Sequence, residues 1–172
     1  MILNTDPFGA VGTVPLQWLN GDLVAAHRNP HIRHIFVLAH KQAFTPPGIS
    51  SEQALDSNPA MRDQFWHEMI DAGVGYYFVA HAHDWDFSQP IAPTFPNEQH
   101  TIQIIAGNGG TAPDPGWTSP YFGFTQVVVL KNKEVRIRSY GRDFDQTNYL
   151  APSPPDLYPT TIRMSLEFAR GQ

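Results

Sequence analysis

Two hydrophobic periods divide this chain. Leu16, Leu19, Leu23 and Ala26 recur at helical spacing behind Pro15, which suits a first helical position, and predict a helix to about Arg28 with Gly21 as a weak point. Met61, Phe65 and Met69 repeat every four residues behind Asn58-Pro59, an N-cap followed by a first-turn proline, with Gly73 as the stop. Between these patterns lie continuous apolar runs over Ile35–Ala39, Gly75–Ala80 and Thr101–Ala106, the mark of strands covered on both faces. Ile2-Leu3 predicts a short opening strand, and a Gly-rich loop follows from Pro7 to Thr13. A long loop begins at Thr45-Pro46-Pro47-Gly48. Phe122–Leu130 and Glu134–Tyr140 predict a hairpin turning at Lys131-Asn132-Lys133. In its second arm Val135 and Ile137 alternate with Arg136 and Arg138, so one face is solvated; the arginines read as that solvated face before they read as an anion site. From Ala151 the chain is a Pro-rich tail in which Ile162–Ala169 packs back as a strand or short helix.

Strand and helix alternate along most of the chain, so the expected fold is α/β, with helices packed on a sheet and the hairpin extending or facing it. Composition sharpens this. At 172 residues the chain holds one domain with a real core. Its 13 Gly and 16 Pro exceed the usual share and call for many turns and loops, not a helical bundle. A net charge of -5 gives no steering toward nucleic acid or anionic membrane. No apolar run approaches the ~18 residues a membrane helix needs. Met1–Asp6 lacks the pattern of a secretory signal and reads as the end of a strand already inside a domain. Cysteine is absent, which excludes disulfides and thiolate sites and leaves the compartment open.

In open α/β sheets ligands gather beyond the carboxyl ends of the strands. Two of the three predicted strand ends carry histidine: His40 after Ala39, and His81 with His83 after Ala80. If the strand period of two persists, the H-x-H pair sends both imidazoles to one side. Neutral imidazoles so placed suit zinc, iron or manganese. Asp84 and Asp86 frame Trp85 on the loop beyond, as candidates for metal binding or proton transfer. The third end, Gly107-Asn108-Gly109-Gly110, lacks the lysine of a phosphate loop and reads as a tight turn beside the site. His27, His31 and His34 read as surface residues, and His67 and His100 have no evident partner. Nucleophilic catalysis has little support, since no serine occupies a G-x-S-x-G elbow and Ser50-Ser51 and Ser88 lie in polar loops.

At these residues the chain resembles the calcineurin-like metallophosphoesterases, the superfamily that includes purple acid phosphatases. Their "GH" and "GHxH" blocks match Val37-Leu38-Ala39-His40 and Val79-Ala80-His81-Ala82-His83. A strand ending in Asp and a following helix match Leu3-Asn4-Thr5-Asp6 and Gln17-Trp18-Leu19 with Leu23. The "G-x-G-G" turn and terminal hairpin match Gly107-Asn108-Gly109-Gly110 and the strands after Phe122. Ala39 and Ala80 stand where the family has glycine. The family's D-x-H, G-D-x-x-D and G-N-H-[DE] blocks, which carry its other ligands and its catalytic His, do not occur in this sequence.

The resemblance implies a mixed β-sheet sandwich flanked by helices, an α/β/β/α domain of which residues 1–150 are the C-terminal portion and 151–172 a Pro-rich tail. It implies hydrolysis of phosphate esters on small-molecule or phosphorylated substrates, through two divalent ions (Mn, Fe or Zn) in the complete domain. His40 and His81 would ligate one ion and His83 the other, with Trp85, Asp86 and Asn108 on the substrate rim. No nucleic-acid patch and no membrane segment are expected. A non-catalytic remnant or binding module is the alternative, and a one-ion His-ligated hydrolase a third reading. An amidohydrolase barrel needs about 250 residues, which excludes it.

Overall fold

The computed structural model describes residues 1–5, 12–47, 54–89, 101–112, 121–145, 148, 150–151 and 157–168. Two compact units emerge: Met1–Ala82 with Asp86–Ile105, and His83–Trp85 with Ala106–Gln172. Asp6, most of the Gly-rich loop, Ser50-Ser51 and His100 lie outside the described residues.

The first unit is built on α1 (Leu16–Arg28), β1 (Phe36–Leu38), α2 (Pro59–Asp71), β2 (Tyr76–Val79), β3 (Trp85–Ser88) and β4 (Ile102–Ala106), with one 3₁₀ turn at Leu55–Ser57. Trp85 and Ala106 are the ends of β3 and β4 that group with the second unit. The strands form one sheet in the order β1-β2-β4-β3, with β1, β2 and β4 parallel. The apolar runs of β2 and β4 are buried as their lack of alternation predicted, with Tyr77, Val79, Ile104 and Ile105 all at 3% exposure or less, whereas in β1 only Val37 is buried and Leu38 is 42% exposed. Leu19 and Leu23 of α1 and Phe65, Trp66 and Met69 of α2 fill the core against them. Phe65 and Trp66 meet the Tyr77 ring edge-on, at centroid distances of 5.3 and 6.1 Å.

The helix ends obey local chemistry. The Asn58 side chain accepts from the Met61 N–H at 3.4 Å, with Pro59 in the first turn. At the other end Gly73 has φ +72°, its N–H donates to Ile70 O and the Val74 N–H donates to Met69 O. That is a Schellman stop, and glycine meets it without the strain a side chain would bring. Pro15 sits one position outside α1, although its carbonyl accepts from Leu19. Beyond β1, Ile2 bridges Leu38 in parallel, and both are exposed, at 81% and 42%.

The second unit centres on β5 (Phe122–Val129), β6 (Val135–Arg142) and β7 (Thr161–Phe168), an antiparallel sheet in that order. Residues 161–168 of the Pro-rich tail therefore form a strand paired with β6. The hairpin turns as predicted, with Lys133 at φ +69°. Alternation holds along β6: Val135, Ile137 and Ser139 are buried and the arginines between them are not.

A further expectation fails. Residues 85–88 are strand β3, where the sequence read a loop. Asp84 and Gln89 flank the run, and its single alternation is too short to register as a period.

Gly123 and Gly141 face each other across β5 and β6, and a Cβ on Gly123 would collide with the Tyr140 carbonyl oxygen. Gly123→Ala should therefore lower stability by about 2 kcal/mol or more, read as a shift in the urea midpoint. Gly75→Ala, where a Cβ meets nothing within 4 Å, serves as the control and should be nearly neutral.

Candidate metal centre

The hydrogen-bond ladder between β1 and β2 continues past both strands. The Ala39 N–H donates to Phe78 O at 2.9 Å, and the Ala80 N–H donates to His40 O at 3.0 Å. His40 and His81 thus leave the carboxyl ends of adjacent parallel strands, where the strand-end rule places ligands. His40 Nε2 and His81 Nδ1 lie 3.2 Å apart, with the rings edge-on at 84°. His81 has φ +58°, a left-handed conformation that costs a non-glycine residue about 1–2 kcal/mol.

The strand period does not reach the H-x-H pair, because β2 ends at Val79 and the chain turns at His81. The two imidazoles go to different partners. His83 belongs to the second unit, and its Nδ1 lies 2.9 Å from Ala112 O. Since a carbonyl only accepts, Nδ1 carries the proton in that contact and Nε2 is left as the basic nitrogen. Among the described residues no group of three or more His, Cys, Asp or Glu is arranged to hold a metal ion.

A separation of 3.2 Å has two chemical readings. It suits a hydrogen bond between one protonated and one unprotonated nitrogen. It also matches the span of about 3.3 Å between two nitrogens bound at 2.0–2.1 Å to one tetrahedral ion. The separation thus meets the distance condition for two ligands of a single ion.

Buried polar groups hold the backbone on which His40 sits. The Lys41 N–H donates to Thr5 Oγ1 at 3.1 Å, and the Tyr77 hydroxyl donates to Lys41 O at 2.6 Å. Complete burial pushes the Tyr77 phenol far above its ordinary range, so it remains a donor. Gln103, 1% exposed, accepts from the N–H groups of Ala43 and Phe44 at 2.8 and 3.0 Å and donates to Phe44 O at 2.7 Å. Asp56 accepts from both the N–H and the hydroxyl of Thr45 at 2.9 Å. Sequence reasoning missed Tyr77 and Gln103. Gln103 carried a signal, being a lone amide inside an apolar run.

The residues expected beside the site divide between the units. Trp85 is 8% exposed and its indole N–H donates to Thr125 Oγ1 at 2.9 Å. Asn108 is 2% exposed; its amide donates to Tyr121 O at 3.2 Å and its carbonyl accepts from the Gly123 N–H. Both contact residues of β5 within the second unit. Asp86, in the first unit, is half-buried, and burial raises its carboxyl above the usual range, partly offset by a hydrogen bond from the Phe87 N–H. His27 is exposed, yet its Nδ1 is 3.0 Å from Ala72 O and links α1 to the end of α2.

No family model and no curated protein matches the sequence. Among solved structures, the chain matches a purple acid phosphatase of yellow lupin seeds with a TM-score of 0.56 and 16% identity over 72% of its length. The fold is that of the calcineurin-like metallophosphoesterases. A second match is GAP50, the anchor in the inner membrane complex of Plasmodium, with a TM-score of 0.50 and 14% identity over 77% of this chain. The chain spans 25% of the lupin phosphatase and 39% of GAP50.

Two predictions follow from this support. Gln103→Leu removes the acceptor of two buried N–H groups and should cost about 2–4 kcal/mol in urea unfolding; a change near zero would mean that those groups find other partners. Asp86 binds its proton more tightly folded than unfolded, so the stability of the neutral form is present at low pH and is lost as pH rises through the raised value. Asp86→Asn should match the wild type below about pH 3.5 and exceed it at pH 7. Parallel stability profiles for the two proteins would contradict that.

Proposed function

We propose that this chain carries the histidine-bearing part of a metal-dependent phosphoesterase site. The observation behind the reading is the His40–His81 nitrogen pair at the carboxyl ends of adjacent parallel strands, in a metallophosphoesterase fold. His40 Nε2 and His81 Nδ1 would hold one divalent ion (Mn, Fe or Zn), and His83 would serve the second ion that the complete domain implies. When bound, such an ion polarises a phosphoryl oxygen and lowers the pKa of a bound water toward neutrality. The chain's own residues do the positioning. Tyr77 and Thr5 clamp the peptide after His40, and the left-handed turn at His81 sets its ring against it. Asp86 retains the solvent access to meet a phosphorylated substrate from the rim, whereas Trp85 and Asn108 are held within the second unit by their hydrogen bonds.

Turnover would require carboxylate and histidine ligands like those of the family's three absent blocks. A second reading, a binding module without turnover, draws on the likeness to GAP50, whose own role is that of an anchor. Resemblance to it extends to fold alone.

A titration with Mn²⁺ or Zn²⁺ separates these readings. The 172-residue chain should bind weakly, and His81→Ala should weaken binding by about tenfold or more. The same chain should show no hydrolysis of an aryl phosphate above background, while a product that also carries the three blocks should show metal-dependent hydrolysis. No metal binding at all would favour the binding module. Metal-dependent turnover by the 172-residue chain, its mass confirmed, would show the site to be complete without those blocks.

A further inference from the structure

One face of the β5–β6–β7 sheet combines exposed aromatic surface with arginine. The register sets Phe124 opposite Tyr140, and Tyr140 opposite Ile162, in a single row across the three strands. The Phe124 and Tyr140 rings stack nearly parallel, 5.3 Å apart at 11°. Phe124 is 57% exposed and Ile162 52%, a large apolar surface for the middle of a sheet face. Arg138 flanks this row on one side, opposite Gln126 on β5, and Arg142 flanks it on the other.

The arginines of this unit are not alike. Arg136 is tied to Glu134 and Glu167 at 3.8 and 3.3 Å, and Arg163 to Asp143 at 2.9 Å. Among the described residues no carboxylate pairs with Arg138, and its buried Nε makes no hydrogen bond. A buried guanidinium Nε–H without an acceptor is costly, and an anionic ligand would satisfy it. Residues two apart on a strand are separated by about 6.8 Å, so Arg138 and Arg142 stand about 13–14 Å apart with the aromatic row between them. Flat apolar surface between two cations fits a planar group joined to anions on either side.

We infer that this sheet face binds a single-stranded nucleic acid, with a base stacked on Phe124 and Tyr140 and flanking phosphates at Arg138 and Arg142. Exposed sheet aromatics that stack bases beside arginine are a recurrent solution for single strands. An acidic peptide would satisfy the arginines but leave the aromatic row unused. The net charge of -5 works against long-range attraction, so the binding is local and salt-sensitive.

The test is fluorescence anisotropy of a labelled ten-nucleotide oligouridine with the full chain, in EDTA and low salt. Binding is expected, with a slope of log K against log salt of about -1.4 for two phosphates. Phe124→Ala and Arg138→Gln should each weaken it about tenfold, while Phe124→Trp retains it. Circular dichroism melts establish that each variant is folded, and Arg138→Lys provides a second variant that keeps the charge but loses the planar fork, with weakening again expected. Polyglutamate of equal length should not displace the oligonucleotide. Absence of binding by the wild type, indifference to Phe124→Ala in a folded variant, or equal displacement by polyglutamate would each overturn the inference. Because EDTA removes metal from the assay, none of these outcomes bears on His40 and His81.

Discussion

The parallel ladder between β1 and β2 outlasts both strands, and the candidate site depends on that continuation. Strand pairing aligns Phe36–Leu38 with Tyr76–Phe78, and two further hydrogen bonds carry the alignment to Ala39, His40 and Ala80. Two residues 41 positions apart are thereby brought within 3.2 Å. The ladder is in turn secured by burial: Tyr77 lies under Phe65 and Trp66 of α2 and spends its only hydroxyl proton on the carbonyl of Lys41. A buried phenol must find an acceptor, and here that need fixes the backbone next to a candidate ligand. Core packing and site geometry are the same interaction seen from two sides.

Gln103 extends the argument to β4. Its amide is buried in a strand where every neighbour is apolar, and it is satisfied by the loop after His40. A hydrophobic residue there would fill the core equally well but leave two N–H groups of that loop unmet. The polar residue thus specifies the path of the chain beyond the strand, where apolar contacts lack direction. His81 shows the complementary feature, a left-handed backbone in a residue that is not glycine. The surrounding ladder holds the strain, as is common where a side chain must be aimed.

Much of this was legible in the sequence. Helices with a cap, a periodic apolar stripe and a glycine stop were read to within a few residues at α2, and uninterrupted apolar runs marked β1, β2 and β4. His40 and His81 were legible because both follow such runs directly. Three features were not. The strand Trp85–Ser88 is too short and too polar to display a period. The turn at His81 depends on backbone strain supported by long-range pairing, which local propensity does not encode, so the strand period ends before the H-x-H pair. Arg138 looked like an ordinary solvated residue, because whether a carboxylate stands beside it depends on cross-strand register. Alternation identifies the face of a strand and is silent about what stands beside it.

The central claim is that His40 and His81 form a ligand pair and not only a hydrogen-bonded pair. Anomalous diffraction from crystals of the protein soaked in Zn²⁺ tests it most directly. The account predicts a peak between the rings, about 2.0–2.1 Å from both Nε2 of His40 and Nδ1 of His81, with the strand-end backbone unmoved. A zinc-soaked crystal with the two nitrogens still in direct contact and no peak between them would contradict it.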